Sequence, residues 1–332
     1  MKKGHLIAAV VSLVTFAWVI THVGFSAMLV QLKAMRIALP IVLALSVLRL
    51  LLQSITWSAS LHGEHVSVDT AKLMGVRLAS QSMGYLTVLG PVISEPMKIK
   101  LLGTPTEPTI TATFLDNGVY WFTSALLGIV GIMSLPLVAV QGARYHAIPA
   151  LLSLAGMLFV IMRRSPILSG LVRVLGNHAP SWLVRGGKLE ESIRSYRLHH
   201  PALVGRMFWI DLACQVLITS EVSVVLWSLG FPIRFFTVVA IDGVTRALKL
   251  ASGWIPARIG SDEGGAISAF ALTGFSPLLG LSLALTRRVR DLLWALTGIL
   301  WFVWNSRVAS GREAASSGVT ATILKEIVDC RQ

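Results

Sequence analysis

Charge is scarce in this chain. Asp, Glu, Lys and Arg supply 14% of its 332 residues, against about 25% in an ordinary soluble domain, while hydrophobic residues reach 54%. A soluble fold of this length still needs a charged exterior, and long stretches here offer none, which excludes a wholly water-borne protein. Cysteine is scarcer still. Cys214 lies in an apolar run and Cys330 near the end, too far apart for a local metal knuckle. Histidines pair only at His199-His200, in a basic stretch with no Cys, Asp or Glu at ligand spacing, so they read as solvated loop residues. No metal and no cofactor are expected. Also missing are His-Glu-x-x-His, Gly-x-Ser-x-Gly, a Walker loop and a cysteine–histidine dyad, so the expectation is not an enzyme, and not one driven directly by ATP.

What is present is positive charge and length of apolar run. The net charge of +13 is placed at the ends of apolar stretches, where Lys and Arg meet anionic lipid, and no nucleic-acid motif accompanies it. Membrane lipids are the expected partner, with no nucleic acid. Six runs are long enough, or nearly so, to span a hydrocarbon core: Leu6 to Val23, Ile37 to Trp57, Ile110 to Leu135, Ile148 to Met162, Leu203 to Leu229 and Pro277 to Trp304. The first follows Met1-Lys2-Lys3 and reads either as a signal peptide ending near Phe25-Ser26-Ala27 or, being long for a signal core, as a retained helix.

Two further apolar regions, 71–102 and 235–272, are interrupted midway by Gly, Pro and charge. The interruptions are Gly90-Pro91-Val92-Ile93-Ser94-Glu95-Pro96 and Pro256-Ala257-Arg258-Ile259-Gly260-Ser261-Asp262-Glu263-Gly264-Gly265. Each reads as two half-helices around a break. Irregular backbone at membrane depth is tolerated only where protein or a water-filled cavity satisfies it, so the breaks point to a cavity. The segment 163–206 carries Arg163, Arg164, Arg173, Arg185, Lys188, Arg194, Arg197 and Arg206 against Glu190 and Glu191, and Lys2 and Lys3 share its side. By the positive-inside rule that face is cytoplasmic, with both termini on it. Part of the segment mixes Leu171, Val172, Trp182 and Val184 with arginines and fits an interfacial helix. Three crossings separate the two breaks, an odd number that inverts the second against the first unless the breaks are unrelated. The expected fold is an all-α polytopic integral membrane protein of the inner membrane. It has about six full transmembrane helices plus two broken re-entrant helix pairs in an inverted repeat.

Ser94-Glu95 and Ser261-Asp262-Glu263 read as helix starts, a serine N-cap with acids in the first turn, serving either as capping or as a substrate site at the midplane. Lys98 and Lys100 follow the first break and Arg258 precedes the acids of the second. Such cations suit phosphate recognition, or in the lysines' case snorkelling to the interface. Two pairs at i,i+4 spacing, Asp242 with Arg246 and Arg287 with Asp291, are expected to neutralise one another. Asp116, Asp211, Glu221 and Arg49 have no local partner, must find one on another helix, and are candidates for lining the same cavity.

The run Pro256-Ala257-Arg258-Ile259-Gly260-Ser261-Asp262-Glu263-Gly264, followed by the Arg-x-x-Asp step from Arg288 to Asp291, resembles the flippase-like membrane region of lysylphosphatidylglycerol synthases and their stand-alone relatives, including hopanoid-biosynthesis-associated ones. The resemblance covers nearly the whole chain. In the first half, Ser94-Glu95-Pro96 and Lys98 stand where that family has Gly-Glu and then Arg, and its arginine and aspartate near Asp116-Asn117 are replaced, so headgroup preference is expected to differ. The resemblance implies translocation of a lipid with an anionic or polar headgroup between leaflets. It implies a transmembrane domain over 1–305 and a short cytoplasmic tail over 306–332, with no soluble synthase domain after Trp304. Glu95, Lys98, Arg258, Asp262, Glu263, Arg288 and Asp291 are then the expected substrate path, with Asp116, Asp211, Glu221, Asp242 and Arg246 lining it. A lipid-modifying enzyme with Glu95 or Glu263 as general base, and a scaffold of a lipid-biosynthesis complex, are the alternatives; a homo-oligomer or a biosynthetic partner is compatible with each.

Overall fold

The computed structural model describes residues 36–87, 90–103, 106–138, 156, 180–251 and 261–329. The elements among them are all helical: α1 (Ala38–Gly63), α2 (Thr70–Leu86), α3 (Gly90–Leu102), α4 (Glu107–Val138), α5 (Ser181–His199), α6 (Pro201–Ser228), α7 (Phe235–Ala251), α8 (Ser261–Leu272) and α9 (Pro277–Asp329). Three of them, α1, α4 and α6, are long and apolar enough to cross a membrane. The shortest, α1, has 26 residues and is about 39 Å long, against a hydrocarbon core of about 30 Å. They correspond to the apolar runs that begin at Ile37, Ile110 and Leu203. The runs Leu6 to Val23 and Ile148 to Met162 lie outside the described residues, Gly156 excepted. Pro277 to Trp304 falls within α9, whose middle carries Arg287, Arg288, Arg290 and Asp291, and which continues past residue 305 to Asp329.

The three long helices have a definite sense. Trp57 of α1 donates to Thr113 Oγ1 of α4 at 3.1 Å, Cys214 Sγ of α6 to the Arg49 carbonyl of α1, and Leu203 packs at Gly63. Low numbers on α1 thus meet high numbers on the other two, and α1 runs antiparallel to both. Along α4 and α6 the partners rise together, with Leu115 beside Met207, Gln215 donating to the Tyr120 carbonyl at 3.2 Å, and Ile132 in one cluster with Leu226. Those two helices are parallel.

Each interrupted region is a pair of packed helices, α2 with α3 and α7 with α8. The first break lies earlier than expected. Thr87 ends the extended step after α2, and Gly90 already belongs to α3. A proline within the first helical turn costs nothing, because its missing N–H would have had no partner there, and Pro91 is such a residue. Ser94 is therefore not an N-cap; it is the fifth residue of α3, buried, and Pro96 lies inside the helix. In the second region Asp262 and Glu263 do occupy the first turn of α8, and the break itself, with Arg258, lies outside the described residues.

Polarity runs inside out. Leu48, Met133, Trp209, Val216 and Leu300 are exposed, while Arg77, Asp116, Asp211, Glu221 and Arg290 are at most 5% exposed. Such a surface suits a lipid surround, and the second set must be matched within the bundle. Small residues let helices approach closely enough to do it. Gly131 and Gly243 stack backbone on backbone between α4 and α7, while between α2 and α9 Gly298 lies against the Leu78 backbone and Gly75 makes room for the Trp301 ring.

Candidate functional site

The helices enclose a polar cavity of about 260 Å³. From α1 it receives Ser46, Arg49 and Gln53; from α2, Arg77, Gln81, Ser82 and Tyr85; from α3, Ser94, Glu95 and Lys98; from α4, Asn117, Tyr120 and Trp121; and from α9, Asp291 and Trp294. Arg49 stands near the middle of α1 and Tyr120 near the middle of α4, so the cavity lies at mid-depth of the bundle.

On the α3 wall, Lys98 Nζ donates to both oxygens of Glu95 at 2.9 and 3.0 Å and to Asn117 Oδ1 at 3.1 Å. Asn117 Nδ2 closes the ring by donating to Glu95 Oε2. Lys98 is 3% exposed, which rules out snorkelling for it, whereas Lys100 faces outward. On the α2 wall, Arg77 donates to Asp116 Oδ2 at 2.5 Å and sits 5.5 Å from the Trp57 ring centroid. On the α9 wall, Asp291 is held by Arg290 at 2.8 Å. Arg49 differs from these. Its Nε has no hydrogen-bond partner, and no ion pair involves it among the described residues.

Behind the cavity a second network ties α4, α6, α7 and α9, and Arg288 adds α8 to it. Arg246 donates to Asp242 at 2.7 Å, Gln215 and Ser124, and Thr219 also donates to Asp242 at 2.7 Å. The expected Asp242–Arg246 pair is thus formed. Arg287 does not pair with Asp291. It reaches Glu221 at 3.1 Å and Asp242 at 3.4 Å, while Arg290 takes both Glu221 and Asp291. Helical spacing brought Arg287 and Asp291 to one face, but Glu221 on the facing helix offers a carboxylate to two arginines and captures them. Arg288 donates to Glu263 at 2.5 Å and to the Tyr85 hydroxyl at 2.8 Å, joining the second break to the cavity wall on α2.

The structure therefore brings Glu95, Lys98 and Asp291 to the cavity itself. Glu263 and Arg288 reach it through Tyr85, and Asp116 through Arg77. Glu221, Asp242 and Arg246 belong to the network behind. Asp262 faces a small separate pocket with Thr245, Lys249 and Arg287, and its Oδ1 is buried without a hydrogen bond. Asp211 is 1% exposed on α6. Arg77 and Arg290 went unsingled in the sequence, although an ionisable residue inside an apolar helix was signal enough. No family model, curated protein or solved structure matches the chain. The site thus has to be read from its own chemistry.

At the end of the bundle where α1 finishes and α4 and α6 begin, α5 lies against the helix ends. Tyr196 fills a notch over Gly63 and donates to the Ser60 carbonyl at 3.0 Å. An open recess there is lined by Glu64, His65, Glu107, Glu191, His199 and His200. Burial raises Glu64 above the usual carboxylate range and Glu107 adds to it, against the lowering effect of His200 and His65. Both His199 and His200 are exposed, as solvated residues would be. No group of three His, Cys, Asp or Glu is placed to hold a metal among the described residues.

Proposed function

We propose that this chain is a membrane lipid transporter that moves a lipid with an anionic or polar headgroup between the leaflets of an inner membrane. The observation that carries the reading is the polar cavity at mid-depth, ringed by Arg49, Arg77, Lys98, Glu95 and Asp291 among helices able to span a bilayer. Its volume of about 260 Å³ lies just below the roughly 300–1,000 Å³ of pockets that enclose a drug-sized molecule. That is room for a headgroup and none for two acyl chains, which would stay in lipid. Each unsatisfied polar group in bare hydrocarbon costs several kcal/mol, and a lined path removes most of that cost.

The parallel run of α4 and α6 supports six crossings. If both leave the same face, the chain between them must cross back once, and Ile148 to Met162 is the apolar run available for it. With basic α5 at the end where α4 and α6 start, that end is cytoplasmic and both termini lie there. The helix pairs α2–α3 and α7–α8 then form the two re-entrant elements, in keeping with the resemblance to the flippase-like synthase region. A general base needs an open lone pair aimed at its substrate. Both oxygens of Glu95 are occupied by Lys98 and Asn117, which favours transport over lipid chemistry with Glu95 as base, while at Glu263 Arg288 takes Oε1.

The test is reconstitution of the full chain into liposomes carrying labelled phosphatidylglycerol or phosphatidylcholine, with leaflet exchange followed by dithionite quenching. Exchange is expected with the native chain and to be lost in Lys98→Gln and Arg49→Gln. A chemically altered lipid would make the protein an enzyme, and neither exchange nor alteration would leave the scaffold.

A further inference from the structure

Most buried charges in the bundle have a partner of opposite sign at hydrogen-bond distance. Besides Arg49 and Asp262, an exception lies where α6 passes behind the cavity wall. Asp211 is 1% exposed and its Oδ2 accepts no hydrogen bond. Asp116, 2% exposed, leaves its Oδ1 equally unmet, and Arg77, which holds the other oxygen of Asp116, keeps its Nε unspent. The ionisable groups facing Asp211 are Arg77 from α2 and Asp116 from α4. Arg49 from α1 and Cys214 on α6 complete the group. Lys98 of α3 also faces Arg77 and Asp116, but both oxygens of Glu95 hold it.

Arg77 thus bonds Asp116 and not Asp211, and one guanidinium stands near two buried carboxylates. Two such groups do not both ionise cheaply away from water, and one of them keeps a proton. Asp116 already has the guanidinium at 2.5 Å, so the proton falls to Asp211. Arg77 also lines the cavity, so the pair is connected to whatever occupies it.

We propose that Asp211 is a proton-binding site coupled, through Arg77, to occupancy of the cavity by an anionic phosphate headgroup. The coupling rests on the headgroup reading above; the proton site does not. A phosphate arriving between Arg49 and Arg77 draws the Arg77 guanidinium away from the two carboxylates, and Asp211 then keeps its proton to higher pH. Loss of the proton from Asp211 gives Arg77 a second carboxylate to return to, which releases the phosphate. Linkage makes the effect reciprocal: protonation strengthens anion binding as much as the anion strengthens protonation. One proton accompanying one anionic headgroup also cancels the charge carried through the membrane field.

The full chain in nanodiscs of zwitterionic phosphatidylcholine tests this, with short-chain phosphatidylglycerol as the anionic probe. Infrared spectra at neutral pH should contain a protonated-carboxyl C=O band that is absent in Asp211→Asn and shifted but present in Asp211→Glu, a variant that keeps the acid should the amide misfold. Asp116→Asn should also abolish the band although Asp211 remains, because Arg77 is then free to pair with it. Phosphatidylglycerol affinity should fall by up to about tenfold per unit rise in pH for one linked proton, and be flat in Asp211→Asn. No band in the native chain, or one untouched by Asp211→Asn, overturns the proton site. Binding that is independent of pH in the native chain overturns the coupling. Failure of the probe to bind at any pH overturns the headgroup reading and the coupling with it, while the band still reports on Asp211.

Discussion

Gly131 of α4 and Gly243 of α7 lie so close that a Cβ built on Gly243 would stand 2.7 Å from the Gly131 Cα. The neighbouring atoms are backbone, which cannot swing aside. Gly243→Ala should therefore push α4 and α7 apart and destabilise the fold by about 1–3 kcal/mol, the usual cost of overpacking. Gly118, with open space around the same position, should accept Ala without loss. Thermal unfolding of the two variants in detergent checks the contrast.

Arg77 and Asp116 are 4% and 3% exposed at their side chains, and removing either leaves a buried charge. Loss of one partner of such a pair costs about 3–5 kcal/mol. The two substitutions should not cost the same. Arg77→Gln strands Asp116 with nothing to replace the guanidinium, whereas Asp116→Asn leaves Arg77 with Asp211. Denaturant titrations should place Arg77→Gln well below Asp116→Asn, and an equal loss would deny Asp211 its compensating role.

Arg288 bridges Glu263 and Tyr85 with different nitrogens of one planar fork. A lysine carries a point charge on a flexible stem and cannot span both. Arg288→Lys should lose about 1.5–3 kcal/mol, the value of a hydrogen bond to a charged group. Tyr85→Phe in the same background should add almost nothing, a non-additivity that a double-mutant cycle measures.

At the end of the bundle where α1 finishes, the docking of α5 should depend on alkaline pH. Burial, reinforced by the charge of Glu64, pushes the Tyr196 phenol up to about 12 from its ordinary 10.0. A group raised in the folded state stabilises while protonated, so the contribution is complete below pH 10.0 and disappears as pH rises through about 12. Ultraviolet titration of tyrosinate should show one phenol ionising late, absent in Tyr196→Phe, together with release of α5 followed by limited proteolysis. Tyr196→Phe itself should cost about 0.5–1.5 kcal/mol for the hydrogen bond to Ser60.

The long helices α1, α4 and α6 were legible from apolar runs because composition and length alone mark a helix able to span a membrane. The helix pairs were legible from their Gly and Pro residues, but not the first breakpoint. Pro91 can interrupt a helix or occupy its first turn, and only the packing of Glu95 and Lys98 against Asn117 on α4 decides between them. The same limit applies to Arg287. Spacing along one helix states which residues share a face, while the partner is chosen by the opposite helix, and there Glu221 was waiting. Glu95 and Lys98 were found as cavity residues because they sit near a break, and Asp291 because it closes the Arg-x-x-Asp step from Arg288. Arg77 stands in mid-helix away from either break, flanked on one side by Gly75 and Val76 and on the other by Ser80, Gln81 and Ser82, so nothing in its immediate pattern paired it with Asp116 on another helix.

The close glycine seams have a mechanical consequence. One joins α4 to α7 and the other α2 to α9, so each ties a helix from the first half of the chain to one from the second. The halves are clasped rather than set side by side, and they cannot rock against one another as separate rigid bodies. Any rearrangement of the bundle around the cavity has to carry α2 along with α9 and α4 along with α7.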